Sequence, residues 1–134
     1  MTAMTKERNT TRREGDHYMF PAAAASLVFT GSLVAVNASG LAEPGKTATG
    51  LQGVGVAQET CDNQTGSAGA RHVLVRRGCF KMKIFGGDQV TVADVGKVCY
   101  IVDDQTVAKT NGTGTRSPAG ILRDVDSDGA WVEF

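Results

Sequence analysis

From Asp16 onward the chain alternates short apolar runs with clusters of Gly, Asn, Asp and Thr. Runs of strand length are His17–Phe20, Leu27–Thr30, Leu33–Asn37, Gly53–Gln58, His72–Arg76, Cys79–Phe85, Val98–Asp103, Thr106–Lys109, Gly120–Val125 and Ala130–Phe134. The clearest alternation sets Phe80, Met82 and Ile84 against Lys81 and Lys83, one face inward and one wet. Ala130, Val132 and Phe134 alternate with Trp131 and Glu133 in the same way. Between these two kinds of segment lie turn signals. Val125-Asp126-Ser127-Asp128-Gly129 predicts a hairpin connection in which the Asp-Gly pair takes positive φ. Asp103-Asp104-Gln105 turns the preceding strand back on itself, and Thr30-Gly31-Ser32 separates the two strands of the most apolar stretch, Pro21 to Val36. The one helical signal is Thr91-Val92-Ala93-Asp94, a capping pattern that Gly96 stops within a turn or two. The pattern predicts an all-β fold, a small antiparallel β-barrel or sandwich.

Residues 1–15 follow no such pattern. MTAMTKERNTTRREG carries Lys6, Arg8, Arg12 and Arg13 against Glu7 and Glu14, and its only apolar residues are Met1, Ala3 and Met4. Too little apolar surface is present to order the segment alone, so it reads as a flexible N-terminal arm ahead of a single β-domain over residues 16–134.

Composition sharpens the picture. Seventeen Gly in 134 residues, with 6% aromatics, exclude a long-helix bundle and suit short strands joined by tight turns. Fourteen Lys+Arg balance fourteen Asp+Glu, so no net field draws the chain to nucleic acid or an anionic membrane. The Pro21–Val36 run is too short for a comfortable membrane span, and Glu14, Asp16 and His17 stand where a secretory leader should be uncluttered and positive. Cys61, Cys79 and Cys99 are odd in number, form no Cys-x-x-Cys pair and keep no ligand spacing to His17 or His72, which argues against zinc.

Two segments imitate known chemistry. Gly40-Leu41-Ala42-Glu43-Pro44-Gly45-Lys46-Thr47 fits the G-x-x-x-x-G-K-[ST] phosphate loop letter for letter, which would make Lys46 and Thr47 nucleotide ligands. The helix such a loop needs is not predicted, since Gly50, Gly53 and Gly55 each cost about 1 kcal/mol in a helix interior. Asp124-Val125-Asp126-Ser127-Asp128-Gly129 imitates the first half of a calcium loop, but the Glu at the twelfth position is missing. Neither His nor Cys pairs with a partner that would make a nucleophile and base, so we expect no catalytic residue, no cofactor and no metal. Between Asp62 and Asp88 every charge is positive: Arg71, Arg76, Arg77, Lys81 and Lys83. On a hairpin these would share one basic face, suited to an acidic protein surface rather than to nucleic acid, for which aromatic interleaving is lacking.

The order of motifs adds a resemblance. Thr30-Gly31-Ser32-Leu33-Val34-Ala35-Val36 is followed by Gly53-Val54-Gly55-Val56-Ala57, then by Val73-Leu74-Val75-Arg76-Arg77-Gly78 and Asp94-Val95-Gly96-Lys97-Val98-Cys99-Tyr100. Asp103-Asp104-Gln105-Thr106-Val107, Ala119-Gly120-Ile121 and Asp128-Gly129-Ala130-Trp131-Val132 complete the series. From Phe29 to Phe134 this resembles the small capsid decoration, or cement, proteins of tailed bacteriophages. The resemblance implies a β-domain, often trimeric, on the outer face of the virion, made in the host bacterial cytoplasm and bridging major capsid protein subunits. A head fibre or spike base is the alternative, and a nucleotide-binding protein using Gly40–Thr47 or a secreted β-domain are further ones. Lys6, Arg8, Arg12 and Arg13 of the arm, with Arg71, Arg76, Arg77, Lys81 and Lys83, are the candidate capsid contacts.

Overall fold

The computed structural model describes residues 2–13 and 15–134. Within the arm assigned to 1–15, Met1 and Glu14 thus lie outside the described residues, while residues 2–13 form no strand and are exposed throughout. Twelve strands follow: β1 (His17–Pro21), β2 (Ser26–Val28), β3 (Leu33–Val36), β4 (Ala42–Pro44), β5 (Gln52–Ala57), β6 (Cys61–Asn63), β7 (His72–Arg76), β8 (Cys79–Ile84), β9 (Val98–Ile101), β10 (Thr106–Ala108), β11 (Pro118–Asp126) and β12 (Gly129–Glu133). The protein is nearly all β, as the pattern predicts, with a closed barrel beside an open sheet. A five-stranded antiparallel sheet runs β1-β7-β5-β3-β4, and β10-β8-β12-β11-β9 close into a barrel. The closing pair, β10 with β8, is the barrel's one parallel pairing among the described residues.

The middle of the sheet, β3 and β5, is covered on both faces. Leu33 and Ala35 of β3 and Val56 of β5 join the barrel core, which holds Met82, Ile101, Val107, Leu122 and Val132. On the opposite face Val34, Ala57, Val73 and Val75 pack with Val28 and Cys61 from a two-stranded ribbon, β2–β6. β3 is therefore buried on both sides, and its Leu33, Val34 and Ala35 are each fully inaccessible. Burying a side chain such as Leu33 is worth about 1.5–3 kcal/mol.

Polar groups stitch the sheet to the barrel. The Leu33 N–H donates to the Asp104 carbonyl at 2.7 Å, and the Thr47 hydroxyl to the Val102 carbonyl at 2.8 Å. Ser117, 2% exposed, donates to the Ala48 carbonyl at 2.6 Å and accepts the Leu51 N–H at 3.0 Å. At the crossing of β5 and β11 the backbones come so close that a Cβ on Gly53 would run into Ala119. Thr91–Asp94 forms the expected capped turn: the Asp94 carboxylate accepts the Thr91 N–H at 2.9 Å, and Val92–Asp94 is a single 3-10 turn.

Several expectations change. The Thr30–Gly31 turn exists, but the strands it joins do not pair: β2 goes to β6, and β3 to β4 and β5. β7 and β8 are likewise not a hairpin, because β7 belongs to the sheet and β8 to the barrel. β4 and β6 were not predicted; each is three residues long and too polar to carry a period. At the β11–β12 turn the register pairs Asp126 with Gly129, and none of Ser127, Asp128 and Gly129 has positive φ. The Asp126 carboxylate shapes that turn instead, accepting the N–H groups of Asp128 at 2.8 Å and Gly129 at 3.1 Å. Gly129 is needed for a different reason: a Cβ there would meet the Met82 carbonyl of β8.

Two truncations test this account. Leu33→Ala should lower the unfolding free energy by about 2–5 kcal/mol. Ser117→Ala should lower it by about 1–3 kcal/mol by leaving the Leu51 N–H unpaired. Urea unfolding of both variants, followed by tryptophan fluorescence, measures the losses; a neutral Ser117→Ala would show that the hydroxyl bridge does not join the two layers.

Candidate functional site

The structure divides the predicted contact residues into groups. Lys6, Arg8 and Arg12 lie on the exposed arm. Arg13, at the arm's end, places its guanidinium 4.4 Å from the centre of the Tyr18 ring, and Arg77 stands 6.0 Å from the same ring. Arg76 pairs in register with His17 across β7 and β1, and the Arg77 N–H donates to the Asp16 carbonyl at 2.7 Å. Asp16 is held below the usual carboxylate range, chiefly by its hydrogen bond to His17. Arg13, Arg76 and Arg77 thus share one corner of the sheet.

The remaining cations lie elsewhere. Arg71 precedes the far end of β7, near Asp62 of the ribbon. Lys83 is on the outer face of the barrel. Lys81 is there too, already engaged: its ammonium is 3.2 Å from Asp126 and 3.7 Å from Asp128, and 5.0 Å over the Trp131 ring. Asp126 also accepts the Trp131 indole N–H at 2.9 Å. That bond, the Asp128 N–H and Lys81 together pull its carboxyl down to about 2. The acids of the calcium-like segment therefore serve a turn and an ion pair.

The phosphate-loop imitation also resolves into structure. Ala42–Pro44 is the edge strand β4, where Pro is tolerated. Lys46 is paired to Glu43 at 2.8 Å, and Thr47 is bonded to Val102. The segment forms a strand and a tie to the barrel rather than a cradle opening a helix.

What the sequence did not show is a groove. β7 pairs with β5 only at Val56 and Ala57, because after Arg77 the chain leaves the sheet and enters the barrel as β8. Gln52 and Gly53 consequently pair with β3 alone, Val54 falls at the bulge between Gly53 and Gly55, and the gap opens a groove of about 730 Å3. Tyr18, Phe20, Val54, Tyr100, Ile121 and Phe134 form its apolar lining. Both tyrosines of the chain and two of its five phenylalanines are gathered here. Phe134 is braced from below by Phe80, with ring centres 6.5 Å apart. Two charged residues also line it. Glu133 is matched by Arg123, whose Nε and Nη2 approach to 2.7 and 2.6 Å. Arg77 has no carboxylate within 4.0 Å among the described residues, which leaves the groove with one uncompensated positive charge. The arrangement offers aromatic faces, a guanidinium and a strand edge: the chemistry of contact with another polypeptide. One signal was legible beforehand, the alternation of Tyr18 and Phe20 with His17 and Met19 on β1.

The Asp126 cluster generates a pH test. A carboxyl held at about 2 stabilises the fold above its ordinary pKa and loses that contribution as pH falls from about 4 to about 2. Asp126→Asn should therefore melt below the wild type at pH 6, and the gap should close as both are titrated to pH 2. A gap that stays constant across the titration would show that the carboxylate charge is not what stabilises the turn.

Compared with protein-family models, with curated proteins and with solved structures, this chain matches none.

Proposed function

We propose that this chain is a structural protein of a phage virion that binds the outer surface of the capsid and stabilises it by bridging major capsid protein subunits. The observation that carries the reading is that an exposed arm, an edge strand and an aromatic groove adjoin one another. The exposed arm runs directly into β1, which is an edge strand of the sheet, and β1 borders the aromatic groove through Tyr18 and Phe20. An edge strand offers unpaired N–H and C=O groups to a partner's strand, and a polar arm can order as it docks. The double-sided packing of the sheet supports the same role, since a shell clamp needs a body that does not deform. A trimer would present three such surfaces, so that individually weak contacts act together. The resemblance to decoration proteins, read from motif order alone, points the same way.

Binding to bare phage heads tests the proposal. Full-length chain should saturate the heads at a fixed number of copies, and the purified chain should have the solution mass of a trimer. Removing residues 1–13 should weaken binding by about tenfold or more, the scale expected when one element of a multivalent contact is lost. Reversing charge with Arg76→Glu and Arg77→Glu together should weaken binding and flatten its salt dependence. Undiminished occupancy by both variants would rule out the arm and the basic corner as the contact. Density for the chain confined to a fibre or spike would assign it to that part of the virion instead.

A further inference from the structure

The groove has a chemistry more specific than contact in general. Its floor is aromatic and aliphatic. One wall is the single-sided strand Gln52–Val54, and Glu133 on another is neutralised by Arg123. Its one charge without a carboxylate partner among the described residues is Arg77, beside which Arg76 and Arg13 raise the local positive potential. A volume of about 730 Å3 is within the range of sites that enclose a ligand. The groove is nevertheless open and lies along a strand edge, which suits an extended chain more than a compact molecule.

We propose that this groove takes an extended segment of the partner protein in which apolar side chains, seated on Tyr18, Phe20, Tyr100 and Phe134, are followed by a carboxylate that pairs with Arg77. The proposal rests on the capsid role above only for which protein supplies the segment. Charge complementarity selects the occupant. A basic segment would bring like charge to the exposed Arg77, whereas Asp or Glu would form a charge-assisted pair with it. The arm of a second copy is disfavoured on the same ground, because its Lys6, Arg8, Arg12 and Arg13 outnumber Glu7 and Glu14.

Two blocked hexapeptides test this on the isolated full chain: Pro-Leu-Phe-Leu-Asp-Glu, and the same peptide with Lys in place of both acids. Titrations followed by 15N chemical shifts should show the acidic peptide binding about tenfold tighter or more. The perturbed amides should be those of His17–Phe20, Gln52–Val54, Tyr100 and Ala119–Ile121. Arg77→Glu should invert the preference, and Val54→Asp should weaken both peptides. Glu59→Lys, exposed between β5 and β6 and outside the groove, should change neither. Melting curves for each variant establish that the fold is kept. Equal binding of the two peptides, no binding of either at millimolar concentration, or shifts mapping elsewhere would overturn the proposal. Groove shifts that follow protein concentration without peptide would make a second copy the occupant and overturn it equally. Because no capsid is present, a failure here leaves binding to phage heads untouched, and a failure there leaves the peptide result standing.

Discussion

The rest of the structure depends on β3 being buried on both faces. Leu33 and Ala35 serve the barrel core, and Val34 serves the core under the β2–β6 ribbon, so three consecutive residues hold two hydrophobic layers in register. A strand in that position can tolerate no polar side chain on either side, which is why LVAV is continuously apolar where β8 and β12 alternate. It also needs its backbone groups satisfied within the protein. The Leu33 N–H reaches Asp104 of the β9–β10 turn, and the Leu33 carbonyl accepts the Gly45 N–H at 2.9 Å. The sheet is therefore fastened to the barrel through the backbone of the same residue whose side chain enters the barrel core.

A sheet pinned at its centre is free to splay at its margin, and the groove forms there. β5 contacts the barrel at Gly53, where the backbones meet without an intervening Cβ. A few residues along, β7 parts from β5 so that the chain can cross into β8. A single chain that builds a sheet and a barrel in succession must open a seam where it crosses between them. Here the seam is lined by aromatics rather than closed by them, and Gln52–Val54 keep an unpaired side. Such a strand edge invites pairing with another chain, and leaving it beside a guanidinium restricts which chain can pair.

The parts of this arrangement that were legible are those in which one face is wet. The alternation at Phe80, Met82 and Ile84 and at Ala130, Val132 and Phe134 predicts two strands whose inward residues do enter the barrel core. Turns built on local side-chain bonds were also readable, such as Asp103–Gln105, where the Gln105 N–H donates to the Asp103 carboxylate at 2.9 Å. Pairing was not. The apolar run through Leu27 to Val36 looks like a hairpin because nothing within it says that Val28 faces Cys61 while Leu33 faces Val56. β4 and β6 gain their strand geometry from partners distant in sequence, which a three-residue segment cannot announce. The groove draws on β1, β5, β9, β11 and the chain end, so no window of sequence contains it.

Charge shows most plainly how segregation in space differs from segregation along the chain. The basic stretch from Arg71 to Lys83 looks like one patch, yet folding disperses it over the ribbon, the sheet corner and the barrel wall. Lys81 is then cancelled locally by Asp126 and Asp128, and Arg123 by Glu133. Lys83 and Arg71 stand apart, and where β1 meets β7 Arg13, Arg76 and Arg77 gather around Tyr18 and His17, with the Asp16 carboxylate against His17. A chain of zero net charge thus keeps three cations, and the local field they make, at one corner of the sheet beside the aromatic groove. Screening limits such a field to about 8 Å at physiological salt. It can therefore act only on a segment already lying in the groove, which makes it a determinant of which segment stays bound rather than of how quickly partners meet.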